Sequence, residues 1–266
     1  MISCSTSCIP HRDLRTVEPL LPHIDSDTFE LFVFSHWDKQ ETAHIFKGYP
    51  YYSVHGSKQL CFLLEEDARK GKELLMADLM LAHEVEAETL VLHIYNSLNK
   101  TPDLHRVITT LMEVEPVAQD RGVTLSLELI PHISLSIPDL ASYLDTHLDS
   151  PFSFTMDLEY TSKFDCLEEV LHYVSRINNV HVRDYDGEWV VDGRRKYLKP
   201  LDGTLDFDCI FSEILHSGYA GTFTVEAPHA SVDEINVSMR WLRTLLKTHR
   251  FPSSLPGSSN HPGHRR

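Results

Sequence analysis

Three carboxylates and three imidazoles stand at the ends of short apolar runs in this chain. They are His55 in YYSVHG, His93 in LVLHIYN, Glu128 in TLSLELIP, Asp157 in FSFTMDLE, His181 in NNVHVRD and Glu226 in TFTVEAPH. Oxygen and nitrogen donors in this mixture suit Mn²⁺, Co²⁺, Mg²⁺ or Zn²⁺. A carboxylate turned into a protein interior is costly unless it is paired or meets a cation, so three that converge call for a positive centre. Taken singly, each residue has an ordinary alternative: a hydrogen-bonded structural histidine, or an acid that caps the next helix or meets an arginine. Their recurrence at six strand ends points instead to one divalent ion at Glu128, Asp157, His181 and Glu226, with His55 and His93 beside it.

The positioning elements follow from periodicity. Strands are expected over 2–9, 29–34, 51–55, 90–95, 123–129, 152–157, 178–183 and 222–226. Helical spacing of apolar residues is clearest over 74–85, 104–118, 140–148, 167–174, 207–215 and 232–246, and weakest over 17–24 and 41–46. Helix-start signals stand in place, Thr101-Pro102-Asp103 before Leu104 and Ser136-Ile137-Pro138-Asp139 before Leu140. Eight strands, each followed by a helix, make a parallel α/β fold. No Gly-rich fingerprint follows the first strand, which argues against an open dinucleotide-binding sheet. Residues two places before the six site residues (Ser53, Val91, Ser126, Thr155, Asn179, Thr224) are mostly small and polar, whereas Val54, Leu127, Met156, Val180, Val182 and Val225 are apolar. In strands that alternation puts one set inside a barrel and the other against helices. The expectation is therefore a single-domain (β/α)8 TIM barrel over 1–249, with its chemistry at the strand ends. The aperiodic stretch 250–266 reads as a disordered tail.

Composition narrows the function classes. A formal charge of −15 disfavours nucleic acid, whose phosphates need a Lys/Arg surface, and disfavours anionic membranes equally. No apolar run approaches the roughly 20 residues needed to span a bilayer. The N-terminus MISCSTSCIPHRD lacks the pattern of a signal peptide. Five scattered cysteines complete no zinc-knuckle spacing, so reduced thiols and a cytoplasmic location are expected. Homo-oligomerisation is left open.

The segments SVHG, LVLHIYN, LSLELIP, FTMDLEY, NVHVRD and PLDGTLDFDCIFSEILHSGYAGTFTVE, in this order, resemble the xylose-isomerase-like barrel superfamily over about residues 2–248. That group contains sugar and sugar-phosphate isomerases and epimerases, and the zinc AP endonucleases. The resemblance implies a metal site at Glu128, Asp157, His181 and Glu226, and assigns the two glutamates to proton transfer on opposite faces of a ketose. It also implies a metal-stabilised enediolate, a chemistry that is physically sound. Two departures matter. Tyr160 stands where the family often has a histidine. Lys196 and Leu198 stand where the nucleases have an Asp-x-His pair, so the ligands of their third zinc are missing. His55, His93 and Glu128 match another zinc of those nucleases, which leaves a second metal open.

Substrate contacts are expected from His55, His93, Tyr160, Arg183 and Trp37. Arg183 shares a strand face with His181, and Arg194, Arg195, Lys196 and Lys199 follow a hairpin read in EWVVDGRR. This cluster could grip a phosphate or carboxylate, or could simply be a solvated loop. Trp37 could wall off a sugar's apolar face or anchor its own loop, and Tyr160 could contact a sugar hydroxyl or pack in its loop. Asp184 could orient the site from behind. The leading function is a divalent-metal-dependent isomerase or epimerase of a small sugar, sugar phosphate or keto-polyol in carbohydrate metabolism. A dehydratase on the same site, a metallohydrolase and a non-catalytic relative are the alternatives. Intact Glu128 and Glu226 speak against the last.

Overall fold

The structure is a computed structural model that describes residues 1–94, 103–130, 135–147 and 152–250. The stretch 251–266, expected as a tail, lies outside the described residues, as do Tyr95 and Leu148 at the ends of an expected strand and helix. Eight parallel strands close into a barrel in the order β1 (Ile2–Ser5), β10 (Thr222–Val225), β7 (Ile177–Val182), β6 (Ser153–Asp157), β5 (Thr124–Leu129), β4 (Thr89–Leu92), β3 (Tyr51–His55) and β2 (Thr28–Phe32). The (β/α)8 expectation holds. The first strand is shorter than expected, because Thr6–Cys8 turns into a 3-10 helix.

Pleating explains the two faces. Along β5, Ser126 and Glu128 point into the barrel while Leu125, Leu127 and Leu129 face the helix layer and are buried there. On β10, Thr224 points inward and Phe223 outward, where it stacks on Phe211 with ring centroids 4.9 Å apart. Each such fully buried side chain contributes about 1.5–3 kcal/mol. The inner face is tied by hydroxyls and amides rather than by apolar packing. Ser126 and Thr155 hydroxyls lie 2.8 Å apart, and Thr224 donates to Asn179 Oδ1 at 2.8 Å.

Outside the strands lie α1 (Leu14–Val17), α2 (Lys39–Phe46), α3 (Leu60–Glu66), α4 (Ala68–Glu84), α5 (Leu104–Asp120), α6 (Ile137–His147), α7 (Leu158–Lys163), α8 (Leu167–Leu171), α9 (Phe207–His216) and α10 (Val232–Arg250). Aspartates cap six of these ten helices: the side chains of Asp13, Asp38, Asp67, Asp103, Asp157 and Asp206 each accept a backbone N–H of the first turn. Ser136 and Asp139 form a reciprocal capping pair at α6. The helix expected over 17–24 is instead the one-turn α1 running into a 3-10 stretch at Glu18–His23, where Pro19 and Pro22 withhold backbone donors. The hairpin read in EWVVDGRR is present, with β8 (Val190–Val191) antiparallel to β9 (Arg194–Arg195). Asp192 and Gly193 turn it at φ 51° and 74°, the left-handed pair such tight turns require. Gly221 cannot be replaced: a Cβ there would sit 2.4 Å from Asn178 O, beneath the start of β10.

Candidate metal centre

The inward face of each strand delivers one site residue to the C-terminal rim. Glu128 ends β5's inner row, Asp157 ends β6, His181 lies in β7, and Glu226 follows β10. Asp157 and His181 are register partners across β6 and β7. The ligand atoms of these four all lie within 4.8 Å of one another. His181 Nδ1 is 3.3 Å from Glu128 Oε1, 3.3 Å from Glu226 Oε2 and 4.0 Å from Asp157 Oδ2. All four are buried.

Behind the imidazole stands a residue that sequence reasoning missed. Glu30, fully buried in mid-β2, receives Ser53 Oγ at 2.9 Å and lies 3.1 Å from His181 Nε2. Donation of the Nε2 proton to Glu30 leaves Nδ1 turned toward the three carboxylates, a relay that fixes the ring and its tautomer. A signal existed, since Glu30 interrupts the apolar run TFELF in register with Ser53.

Arg183 reaches the mouth, as its strand register required, but its guanidinium is held by acids. Nη2 lies 2.6 Å from Asp157, Nε 2.8 Å from Glu159, and Nη1 3.3 Å from Glu226. Glu159 is likewise buried and also binds Arg195 at 2.6 Å; it too was missed, hidden in the first turn of α7. Five carboxylates (Glu30, Glu128, Asp157, Glu159, Glu226) thus face two guanidiniums, and the remaining charge must be met by protons or a cation. Burial pushes Asp157 up to about 7 despite Arg183, and neighbouring carboxylates add to the effect. Burial would raise Glu128 too, but His93, His181 and His55 hold it well below the usual carboxylate range. Burial would lower His181, yet Glu30 and Glu226 bring it well above the ordinary imidazole value. This balance, together with three oxygen donors and one nitrogen donor converging, fits a hard or borderline divalent ion.

His55 and His93 gather on Glu128 from the other side. His93 Nε2 bonds Glu128 Oε2, His55 Nε2 lies 3.7 Å from the same oxygen, and the two rings are 5.0 Å apart. With Glu128 they form a second group able to hold a cation.

The remaining expected contacts have protein partners of their own. Trp37 is buried, stacks on Phe46 and donates Nε1–H to Arg12 O at 2.8 Å, so it anchors a loop. Tyr160 is buried against Trp189, and burial pushes its phenol up. The loop cations are mostly answered by local acids: Lys196 by Asp186 and Glu188, Lys199 by Asp202 at 2.5 Å, Arg195 by Glu159. Three of the four cations in this cluster are thus engaged by acids. Asp184 accepts backbone N–H groups from Tyr185, Leu201, Gly203 and Leu205, which makes it the post of its own loop.

The profile of the xylose isomerase-like TIM barrel family matches residues 39–245. The chain belongs to that family. No curated protein matches it in sequence. Among solved structures it is similar to a D-tagatose 3-epimerase-like protein (TM-score 0.74, 18% identity, covering 95% of this chain and 99% of that one). It is also similar to an L-ribulose 3-epimerase (0.73, 16%, 98% and 99%) and to the IOLI protein with a bound zinc atom (0.69, 13%, 94% and 98%). Among the described residues, no helix is long and apolar enough to cross a membrane.

Proposed function

We propose that this barrel is a divalent-metal-dependent isomerase or epimerase of a small ketose or ketose derivative. The observation that carries the reading is the placement of Glu128 and Glu226. They reach His181 Nδ1, each at 3.3 Å, from strands separated by β6 and β7. Two carboxylates approaching one centre from different strands can serve the two faces of a carbon. One takes the proton beside the carbonyl and the other returns a proton to the opposite face, which leaves the carbon inverted.

Glu128, Asp157, His181 and Glu226 would hold the cation, which when bound supplies the positive charge that stabilises the enediolate oxygens. Zinc is one fitting choice beside Mn²⁺, Co²⁺ and Mg²⁺, and the bound zinc of one structural neighbour agrees with it. Arg183, bound to Asp157, Glu159 and Glu226, orients those carboxylates. The chain's own groups thus set the aim of both bases.

A second reading rests on His55, His93 and Glu128: two ions would suit a hydrolase. Against it, Lys196 is tied to Asp186 and Glu188 at the position where a third ion's ligand would be needed. The test is solvent-deuterium incorporation into ketoses, with metal content measured in parallel, for wild type, Glu128→Gln and Glu226→Gln. Incorporation should fall about 100- to 10,000-fold in each variant. Unchanged incorporation in either one would sink the two-carboxylate mechanism, and two metal equivalents with no exchange would favour the hydrolase.

A further inference from the structure

A cavity of about 420 Å³ opens beside Glu226 and Arg183, within the roughly 300–1,000 Å³ of small-molecule sites. Its inner end reaches the edge of the candidate metal centre at Glu226 and Arg183. Its outer end is built from the loops after β1, β2 and β3 and has the opposite character. Arg12 and Lys58 line it and are exposed, and Phe32 and Phe34 form the wall between them. Arg12 Cζ lies 5.5 Å from the Phe34 ring centroid, and Lys58 Nζ lies 5.2 Å from that of Phe32. The two rings are 5.1 Å apart, so both cations share one aromatic wall.

Neither cation has a carboxylate within ion-pair distance among the described residues, unlike Arg183, Arg195, Lys196 and Lys199. Such an arrangement is unexpected in a chain with 39 acidic and 24 basic residues. The only other charged lining residues among those described are Glu226 and Arg183, which bind each other. The outer wall therefore presents an unanswered positive field to whatever enters.

The backbone that carries the two cations is pinned. Arg12 O receives the Trp37 indole N–H at 2.8 Å and meets His36 Nε2 at 2.9 Å. On the other loop, Ser57 donates its N–H and hydroxyl to Asp78 at 3.0 and 2.9 Å. Asp78 is fully buried, paired with Lys39 at 2.5 Å, and has no part in the metal centre. Pinned loops and unpaired charged tips make a preorganised seat.

We infer that Arg12 and Lys58 form an oxyanion subsite, so that the substrate is a ketose carrying a terminal phosphate or carboxylate at the end away from the carbons that exchange protons. The inference rests on the proposed isomerase reading for its sugar, and on the cavity's own charge for its anion. A neutral ketose would leave both cations without a partner. A terminal anion supplies the missing partner, to the Arg12 fork or the Lys58 ammonium.

The test is calorimetric binding to the metal-loaded protein of ribulose against ribulose 5-phosphate, and fructose against fructose 6-phosphate and fructuronate. Wild type is compared with Arg12→Gln, Lys58→Gln and the double variant, and solvent-deuterium exchange is read in the same samples. The better-bound anionic sugar should exceed its neutral counterpart by roughly 10- to 100-fold. The double variant should lose that margin while neutral-sugar binding and metal content stay unchanged. A preference for the phosphate esters over fructuronate names phosphate as the anion, and the reverse names carboxylate. Equal binding of neutral and anionic sugars by wild type, or a margin that survives in the double variant, overturns the subsite. Anion-dependent binding without exchange leaves the subsite standing and removes the isomerase reading. Exchange on neutral ketoses with no anion margin does the opposite.

Discussion

The two sides of the barrel mouth are built on opposite plans. On the side of β5, β6, β7 and β10, charged groups project from the strands or their immediate ends, and each is answered by a partner within about the span of a hydrogen bond. Asp157 has Arg183 at 2.6 Å, and His181 has Glu30 at 3.1 Å. In the loops after β1, β2 and β3, the cations Arg12 and Lys58 sit at the solvent edge and lean on aromatic rings. Burial explains the difference. An ionised group inside the barrel is tolerable only with counter-charges and hydrogen bonds already in place, whereas an exposed Arg or Lys keeps its hydration and stays available. The first side is suited to hold a cation and move protons, and the second to select what enters.

The largest effect should come from Asp157→Asn on the strand side. Asparagine keeps a side-chain oxygen able to cap α7, where Asp157 now accepts Tyr160 N–H at 3.0 Å, so the fold should survive. The charge is lost from the centre of the carboxylate set. Metal affinity should fall by more than about 100-fold, with exchange activity following it. Elemental analysis after gel filtration reads the first quantity and deuterium incorporation the second. Full metal content in a folded variant would mean that the Asp157 carboxylate is not needed as a ligand and serves Arg183 and the α7 cap instead.

A smaller loss is expected from Glu30→Gln. The amide retains the volume and one hydrogen-bonding oxygen, but it lacks the charge that orders His181. Competition with a chelator should show affinity reduced about 10- to 100-fold, with the metal restored at higher concentration and activity with it. Unchanged affinity would mean that strand register alone fixes the imidazole. Either result separates the contribution of the inner barrel from that of the rim ligands.

How far these roles were legible depends on how local their causes are. The strand ends were legible because a period of two, read in TLSLEL or INNVHV, assigns faces without any knowledge of the partner. The six rim residues followed from that one rule. Glu30 escaped because attention went to strand ends, and it sits within a strand whose pairing with β3 shifts register beside it, between Phe29 and Glu30. Glu159 escaped because its role is set by Arg183 and Arg195, which are 24 and 36 positions away. The reach of Arg183 was predictable from its strand face, but its partners were not. Lys196 and Lys199 looked like an anion grip in a linear reading, yet their partners lie within ten positions in the same loop. The exposed pair Arg12 and Lys58 had no sequence signal, since closure of the barrel alone brings two loops 46 residues apart to one cavity.

The smallest effect, on the loop side, tests whether Trp37 touches substrate or only holds the loop that does. Trp37→Phe keeps an aromatic ring for the stack on Phe46 at 5.6 Å and the edge contact with Phe34 at 5.0 Å. It removes the N–H that reaches Arg12 O. Loss of one such bond should cost about 0.5–1.5 kcal/mol of stability in urea denaturation. With the Arg12 backbone loosened, KM for the anionic sugar should rise a few-fold while kcat stays at the wild-type value, because no reacting atom is near the indole. Binding of the neutral ketose should not change. A fall in kcat of tenfold or more would place Trp37 against the reacting carbons, and the division between a strand side for chemistry and a loop side for recognition would then fail at that residue.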